Sequence, residues 1–134
     1  MLITKDWLRN WGACNRALRT FGRLWPKGAR ITKRNLIRAS AHPDLRLNWL
    51  ALYIFEGDER LQWYRAKGRA EDSDSMARLR LITRYDHWSA KIGRERAIKK
   101  IRYSKRKEEM RKAYNLRLAL AFWAIWQRSL KKGK

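Results

Sequence analysis

Residues 75–130 contain no proline and one glycine, Gly93, which constrains the fold more than any other feature of this chain. Proline and glycine are the residues that most strongly destabilise a helix interior. Apolar residues recur there at helical intervals of three and four, at Met76, Leu79, Ile82, Tyr85, Tyr114, Leu118, Phe122 and Ile125. The pattern predicts one helix of about 55 residues, roughly 80 Å long at 1.5 Å per residue. If Gly93 breaks that helix, it predicts two antiparallel helices instead.

The first half of the chain is punctuated far more often, which predicts short helices. Breaks are expected at Pro26–Gly28, at His42–Asp44 and at Gly57, and Gly12 is a further break inside the first apolar stripe. Thr4, Thr32 and Asp44 have the residue type and position of helix N-caps. The polar segment 68–74, GRAEDSD, has the composition of a linker. No stretch alternates strictly between apolar and polar residues, so we predict no strand.

These patterns predict a single all-α domain over residues 1–134, with five to six helices. Residues 1–67 form a short-helix module, residues 68–74 form a linker, and residues 75–134 form a long basic helix or helical hairpin. One domain is the usual number at this length. A chain of 134 residues is also long enough to bury a substantial core.

The charge of the chain indicates a polyanionic partner. Thirty-four Lys and Arg residues stand against twelve Asp and Glu, a net charge of +22. Such a charge destabilises a compact fold through self-repulsion unless an anion neutralises it, and nucleic acid is the leading candidate. The densest region is 94–117, where a basic helix can lie along phosphates. Its candidate contact residues are Lys99, Lys100, Arg102, Lys105, Arg106, Lys107, Arg111 and Lys112.

A second basic group surrounds the predicted start of the helix capped by Thr32. It comprises Lys27, Arg30, Lys33 and Arg34. Free backbone N–H groups at a helix N-terminus add to basic side chains in binding phosphate. A soluble surface loop explains the same residues equally well.

The aromatic residues divide into predicted core and predicted contact residues. Trp7, Trp11, Phe21 and Trp25 follow a helical stripe and are predicted to lie in the core. Trp63 and Tyr64 are candidates for base stacking or for contact with a protein partner. Residues 116–126 are apolar on nearly all sides, which is typical of a central helix or an interface. That segment, with Trp123 and Trp126, is therefore also a candidate partner, homo-oligomer or membrane-surface contact.

The residues give little support for catalysis. The two histidines, His42 and His87, and the one cysteine, Cys14, lack the spacing of a zinc site. We therefore expect a protein that is not an enzyme and uses no metal or cofactor. Cys14 cannot form an intramolecular disulfide, which suits a reducing, cytoplasmic location. The longest apolar run, 118–126, has nine residues, whereas a membrane span needs about 20, so we expect no transmembrane segment.

Residues 7–51 resemble a helical module found in small uncharacterised phage and bacterial proteins. The resemblance is carried by Trp11, Ala13, Cys14, Phe21, Pro26, Gly28, Thr32, Asn35, Leu36, Ala39, Asp44, Leu45, Trp49, Leu50 and Ala51. It implies a helical module from a mobile element and no known activity. If the protein is encoded by a phage, its expected location is the host cytoplasm.

The sequence therefore predicts a non-catalytic nucleic-acid-binding protein that contacts phosphates with little sequence specificity. We expect RNA or a ribonucleoprotein as the binding partner as much as we expect DNA. The alternative is a phage-encoded inhibitor, of the anti-CRISPR or another counter-defence kind, that binds a host effector protein or an RNA-guided complex.

Overall fold

The fold is all-α, as predicted. A computed structural model describes residues 1–86 and 93–132, with the side chains of 84–86 and 93–99 outside the description. The described chain forms six helices and one small sheet. The helices are α1 (Lys5–Asn10), α2 (Asn15–Leu24), α3 (Lys33–Ser40), α4 (Leu47–Ile54), α5 (Gly57–Asp86) and α6 (Gly93–Lys132). The strands are β1 (Leu2–Ile3) and β2 (Ala29–Arg30).

The sheet is a departure from the prediction that the chain has no strand. Its two strands have two residues each and pair antiparallel, with Leu2 opposite Arg30. Two residues are too few to show an alternating pattern in sequence. Gly28 makes the pairing possible, since its φ is +92° and a Cβ there would lie 2.9 Å from the carbonyl oxygen of Ile3.

Most of the predicted helix boundaries in the first half are confirmed. The hydroxyl oxygens of Thr4 and Thr32 accept hydrogen bonds from the third residue along, both at 3.1 Å. Gly12, with φ +86°, separates α1 from α2. Asp44 was predicted to cap the next helix, and that prediction is wrong because Arg46 occupies the cap position. Asp44 instead accepts a hydrogen bond from Thr20, so a tertiary contact has replaced the local one.

Helices α5 and α6 form an antiparallel hairpin, the second of the two predicted alternatives. The rings of Trp63 and Phe122 lie 5.8 Å apart, and the hydroxyl of Tyr114 donates to Glu71 at 3.5 Å. Eight residues forward on α5 thus correspond to eight residues back on α6. Helix α5 ends at Asp86 and α6 begins at Gly93, while the residues between them lie outside the described part of the chain.

The predicted linker 68–74 is wrong, because this segment is helical and lies in the middle of α5. Its one glycine, Gly68, costs a helix only about 1 kcal/mol relative to alanine. Ion pairs one helical turn apart bracket the segment, Lys67 with Glu71 at 3.6 Å and Asp74 with Arg78 at 2.8 Å. Ala70 is buried, so the segment also contributes to tertiary packing.

The core joins the short helices to the C-terminal part of α6. Leu118, Ala119, Phe122 and Ile125 are buried there, and α3, α4 and α5 all pack against α6. The ring of Phe55 lies 4.6 Å from that of Phe122. Residues 116–126 therefore form a central helix, one of the two structural roles predicted for them.

Trp11, which was predicted to be core, lies on the surface instead. Trp11 is 48% exposed and contacts the ring of Tyr53 at 4.9 Å. Cys14, which follows it on the same stripe, is also exposed. The physical reason is the break at Gly12, which gives α2 a different direction from α1, so one continuous helical stripe does not exist.

The far part of the hairpin, residues 75–86 and 93–112, is named the arm here. Met76, Leu79 and Ile82 follow the helical spacing of the apolar pattern, but they are 52%, 60% and 45% exposed. Leu81 is buried in their place. It lies eleven residues after buried Ala70, which is about three turns of helix, so both point the same way. The packing of α5 near Ala70 thus decides which side of the arm faces α6.

Candidate nucleic-acid interface

The α6 basic surface, defined as the basic residues from 99 to 112, lies on the arm. Its described members are Lys100, Arg102, Lys105, Arg106, Lys107, Arg111 and Lys112. All are exposed except Arg111, which is half-buried. The side chain of Lys99 lies outside the described residues. Between residues 100 and 112 no side chain is buried, so this stretch of helix is open to a partner along its length.

These cations surround most of the helix circumference. At 100° per residue, Arg102 and Arg106 lie opposite the side on which Phe122 is buried. Lys100 and Lys107 lie on the same side as Phe122 but are nevertheless exposed. Between residues 100 and 117 α6 contributes no buried core residue, so the core does not cover Lys100 and Lys107. An anion can therefore approach α6 from several directions.

Few carboxylates neutralise this surface. Among the described residues, only Arg111 of this group forms an ion pair, with Glu108. The hydrogen bond from Arg111 lowers the pKa of Glu108, which keeps that carboxyl ionised. The ammonium of Lys107 lies 4.7 Å from the ring centre of Tyr103. Arg111 is thus the member least available to a phosphate, since its charge already has a partner.

The turn before α3 presents the second basic group on a rigid support. Asn35 organises it: its side-chain amide donates to the carbonyl of Arg30 at 2.8 Å, and its carbonyl accepts from the indole of Trp25 at 3.3 Å. Lys27, Arg30, Lys33 and Arg34 are all exposed. The first described helical bond of α3 is from Leu36 to Thr32, so the N–H groups of Lys33 and Arg34 remain available.

The two basic groups lie at different parts of the molecule. The turn after α3, with His42 and Leu45, lines one pocket together with Tyr114 and Leu118. The C-terminal end of α3 is therefore the end next to the base of the arm. Lys33 and Arg34 begin α3, about 12 Å further away for a helix of eight residues. The second basic group and the α6 basic surface therefore do not form one continuous surface.

Trp63 and Tyr64, the two candidates for base stacking, differ in exposure. Trp63 is 0% exposed, and its indole N–H donates to Asn48 at 2.9 Å. The prediction that Trp63 stacks on a base is therefore wrong, because its ring packs between Phe55 and Phe122. Tyr64 is 49% exposed and remains accessible to a partner.

Trp123 and Trp126 are half-buried and pack against the core, so they are not free surface anchors. Leu116 and Leu120 are the exposed large apolar residues of the same segment. A partner that binds 116–126 therefore meets only a narrow exposed strip of the helix, not its whole surface.

One feature escaped sequence reasoning altogether. An apolar cavity of about 470 Å³ lies within the short-helix module and is lined by residues from α1, α2, α3 and α4. Its walls consist of residues that individually resemble ordinary core positions. No local signal identifies such a cavity, because each helix contributes only a few side chains to it.

Other kinds of site have no counterpart in the described residues. Among the side chains that the structure describes, 1–83 and 100–132, no three His, Cys, Asp or Glu residues approach closely enough to hold a metal ion. In the same part of the chain, every helix is too short or too polar to cross a membrane. No protein-family model matches the chain, and neither the curated proteins nor the solved structures include one that matches it.

Proposed function

We propose that this protein binds nucleic acid without catalysis, holding phosphates along the α6 basic surface. The observation that supports this most directly is a run of exposed cations with almost no carboxylate partners. Over its whole length α6 has fourteen basic and three acidic residues. Such a surface releases condensed counterions when it meets a phosphate backbone, which drives association.

The length of the surface sets the expected number of contacts. Residues 100–112 extend about 18 Å along the helix axis at 1.5 Å per residue. One strand of duplex DNA places a phosphate about every 3.4 Å of axis, so about five or six phosphates come within reach. Side chains on several sides of α6 allow both lysines and arginines to contribute.

The shape of the arm favours binding that is indifferent to base sequence. Two packed helices, each about 10 Å across, are wider than the major groove of B-DNA, which is about 12 Å. The arm therefore lies on the phosphates rather than inside the groove. The deep major groove of A-form RNA is closed to side chains, but its phosphates are equally accessible. RNA, DNA and a ribonucleoprotein are thus comparable partners.

The basic turn around Lys33 and Arg34 supplies a second, weaker contact. Its four cations are fewer, but the Asn35 hydrogen bonds fix the backbone from which they extend, which lowers the backbone entropy lost on binding. Because this turn is separate from the arm, it extends the footprint on a long nucleic acid.

A salt series tests the proposal. Affinities for duplex DNA, single-stranded DNA and a structured RNA are measured from low to physiological salt. Six neutralised phosphates predict a log–log slope of about −5 on duplex and about −4 on single strands. A flat salt response, or no binding to any of the three at low salt, contradicts the proposal.

We also propose an alternative, a phage-encoded inhibitor that binds a host effector or RNA-guided complex. Exposed Met76, Leu79 and Ile82 favour it, because large apolar side chains on one helix face are typical of protein contacts. A pull-down from nuclease-treated host lysate distinguishes the two. A defined partner retained by the native chain and lost by Leu79→Asp supports the inhibitor, and loss of every partner on nuclease treatment counts against it.

A further inference from the structure

The cavity in the short-helix module is open to solvent on one side, and separate elements line the rest of it. β1 contributes Ile3, α1 contributes Leu8, α2 contributes Phe21, and α3 contributes Leu36. These four side chains are buried. Trp25 and Trp49, both half-buried, complete much of the wall, which is predominantly apolar.

A half-open apolar pocket of this size is unusual for a protein surface, on which large contiguous apolar patches are few and often mark a binding site. It is also unusual within this protein. In the adjoining part of the core, Ala51, Phe55 and Trp63 are 0% exposed, and neighbouring aromatic rings lie in contact. Apolar walls without atoms to contact lose dispersion energy, so an occupant that fills the cavity stabilises the fold.

Three of the polar side chains at the cavity are cationic, and the other two are Asn35 and Asp44. Arg16, Arg30 and Arg46 line it and are exposed at its rim. Asp44 is the one carboxylate among its lining residues, and it is already engaged. One of its oxygens accepts from Thr20 at 3.0 Å, and the other lies 3.6 Å from Arg16. An occupant with a negative head group therefore meets guanidinium groups with unused donors.

We propose that this cavity binds a small amphiphilic carboxylate, with its apolar body between α2 and α3 and its head group at the arginines. The volume of about 470 Å³ lies within the roughly 300–1,000 Å³ of ordinary ligand pockets. Arginine pairs with carboxylate through two parallel hydrogen bonds, which gives the head group a preferred place. The site is separate from the α6 basic surface, although it shares Arg30 with the second basic group.

The chain has a built-in reporter for this site. Cys14 is its one cysteine, is exposed, and lines the cavity. The rate at which a thiol reagent modifies Cys14 therefore reports occupancy at that position. Adsorption of an anion elsewhere on a chain of net charge +22 leaves that rate unchanged.

The experiment uses dodecanoate below its micelle concentration as the probe. At a concentration about ten times its Kd, the empty fraction falls to about one tenth, so Cys14 modification is expected to slow about tenfold. Calorimetry is expected to give saturable binding of one dodecanoate per chain. Butanoate, which has the head group without the body, and dodecylammonium, which has the body with the opposite charge, are expected to give no protection.

Two variants locate the interaction. Ala17→Phe places a ring in the cavity and is expected to abolish protection while raising the Tm. Arg16→Gln with Arg46→Gln is expected to weaken dodecanoate binding about tenfold or more, as loss of a charged hydrogen-bond partner does. Its matched control, Arg19→Gln with Arg23→Gln, removes two exposed arginines that do not line the cavity and is expected to bind normally.

Several results overturn the proposal. One is the absence of protection by dodecanoate in the native chain, and another is equal protection by dodecylammonium. A third is equal weakening of dodecanoate binding in the two double arginine variants, which indicates that dodecanoate adsorbs to the surface. Protection of Cys14 by nucleic acid but not by dodecanoate assigns the cavity to the nucleic-acid footprint instead. If Ala17→Phe does not fold, the arginine pairs and the two control ligands decide the question.

Discussion

Helices α5 and α6 pack against each other over much of their length but have very different surfaces. Helix α5 has seven basic and six acidic residues, a net charge of +1. Helix α6 has fourteen basic and three acidic residues, a net charge of +11. Half of the net charge of the chain is therefore on one helix of the hairpin.

The two helices also differ in what they expose. On the arm, α5 exposes the apolar residues Met76, Leu79 and Ile82, whereas α6 exposes lysines and arginines. On α5 these apolar residues lie mainly on the side away from Trp63, whereas on α6 the cations surround most of the helix, including the side of Phe122. Under the proposed function, α6 contacts the polyanion, and the exposed apolar residues of α5 remain available to a second partner.

The largest expected effect tests the packing that joins the two helices. Trp63→Ala removes the ring that packs on Phe122 and leaves Asn48 without its partner, so we expect a loss of about 3–5 kcal/mol in the free energy of unfolding. The neighbouring control Tyr64→Ala removes an exposed ring and is expected to change it by about 0.5 kcal/mol or less. Urea unfolding followed by circular dichroism measures both. Equal losses contradict the hairpin packing.

The charge difference between the helices is tested by matched reversals. Lys105→Glu, Arg106→Glu and Lys107→Glu on α6 are expected to make the salt slope of binding about three units shallower, one for each phosphate that is no longer neutralised. The control reverses Arg65, Arg69 and Arg80, three exposed arginines of α5, and changes the net charge equally. This control variant is expected to retain most of the salt slope of nucleic-acid binding. Equal effects of the two triple variants indicate that total charge, rather than the α6 surface, governs binding.

The apolar side of α5 is tested by two leucines that lie two positions apart. Leu81 is buried, so Leu81→Ala is expected to cost about 2 kcal/mol or more of unfolding free energy. Leu79 is exposed, so Leu79→Ala is expected to cost about 0.5 kcal/mol or less. The midpoints of thermal unfolding rank the two variants. The reverse order contradicts the burial of Leu81 and the exposure of Leu79.

The smallest expected effect concerns Tyr114 at the base of the arm. Burial and the neighbouring Glu71 carboxylate raise the pKa of its hydroxyl. As the pH rises above about 10, the unfolded chain releases this proton while the folded chain still holds it, so the folded state loses stability. Tyr114→Phe has no hydroxyl at this position and therefore lacks this pH-dependent contribution to stability. The difference in stability between the two proteins is expected to be constant from about pH 8 to 9.5 and to shrink above about pH 10, and a constant difference throughout contradicts the contact with Glu71.

Local signals predicted the elements that depend on near neighbours. Thr4 and Thr32 cap helices because a hydroxyl reaches an amide three residues along, whatever surrounds it. Gly12 separates α1 from α2 for a similar reason, since a positive φ is accessible to glycine at little cost. The basic residues from 100 to 112 were also identified from sequence, because a dense cationic run has too few apolar residues to be buried.

Predictions failed where a distant contact competed with a local preference. The segment 68–74 has the composition of a linker, but Ala70 is buried in the core and flanking ion pairs hold the segment helical. Asp44 has the position of a cap, yet Thr20 is its partner. The cavity could not be predicted at all, because it is a gap between helices rather than a property of any one of them.

The sequence by itself determined that this chain is helical, strongly cationic and rich in aromatic residues for its core. It did so because helix propensity, capping and charge act over a few residues or add up along the chain. Only the tertiary structure decided that the long helical region folds into a hairpin, that Trp63 lies inside while Tyr64 lies outside, and that Leu81 rather than Leu79 faces α6. Each of these depends on which side of one helix meets another, and the burial of Trp63 and Ala70 against α6 settles that rotation.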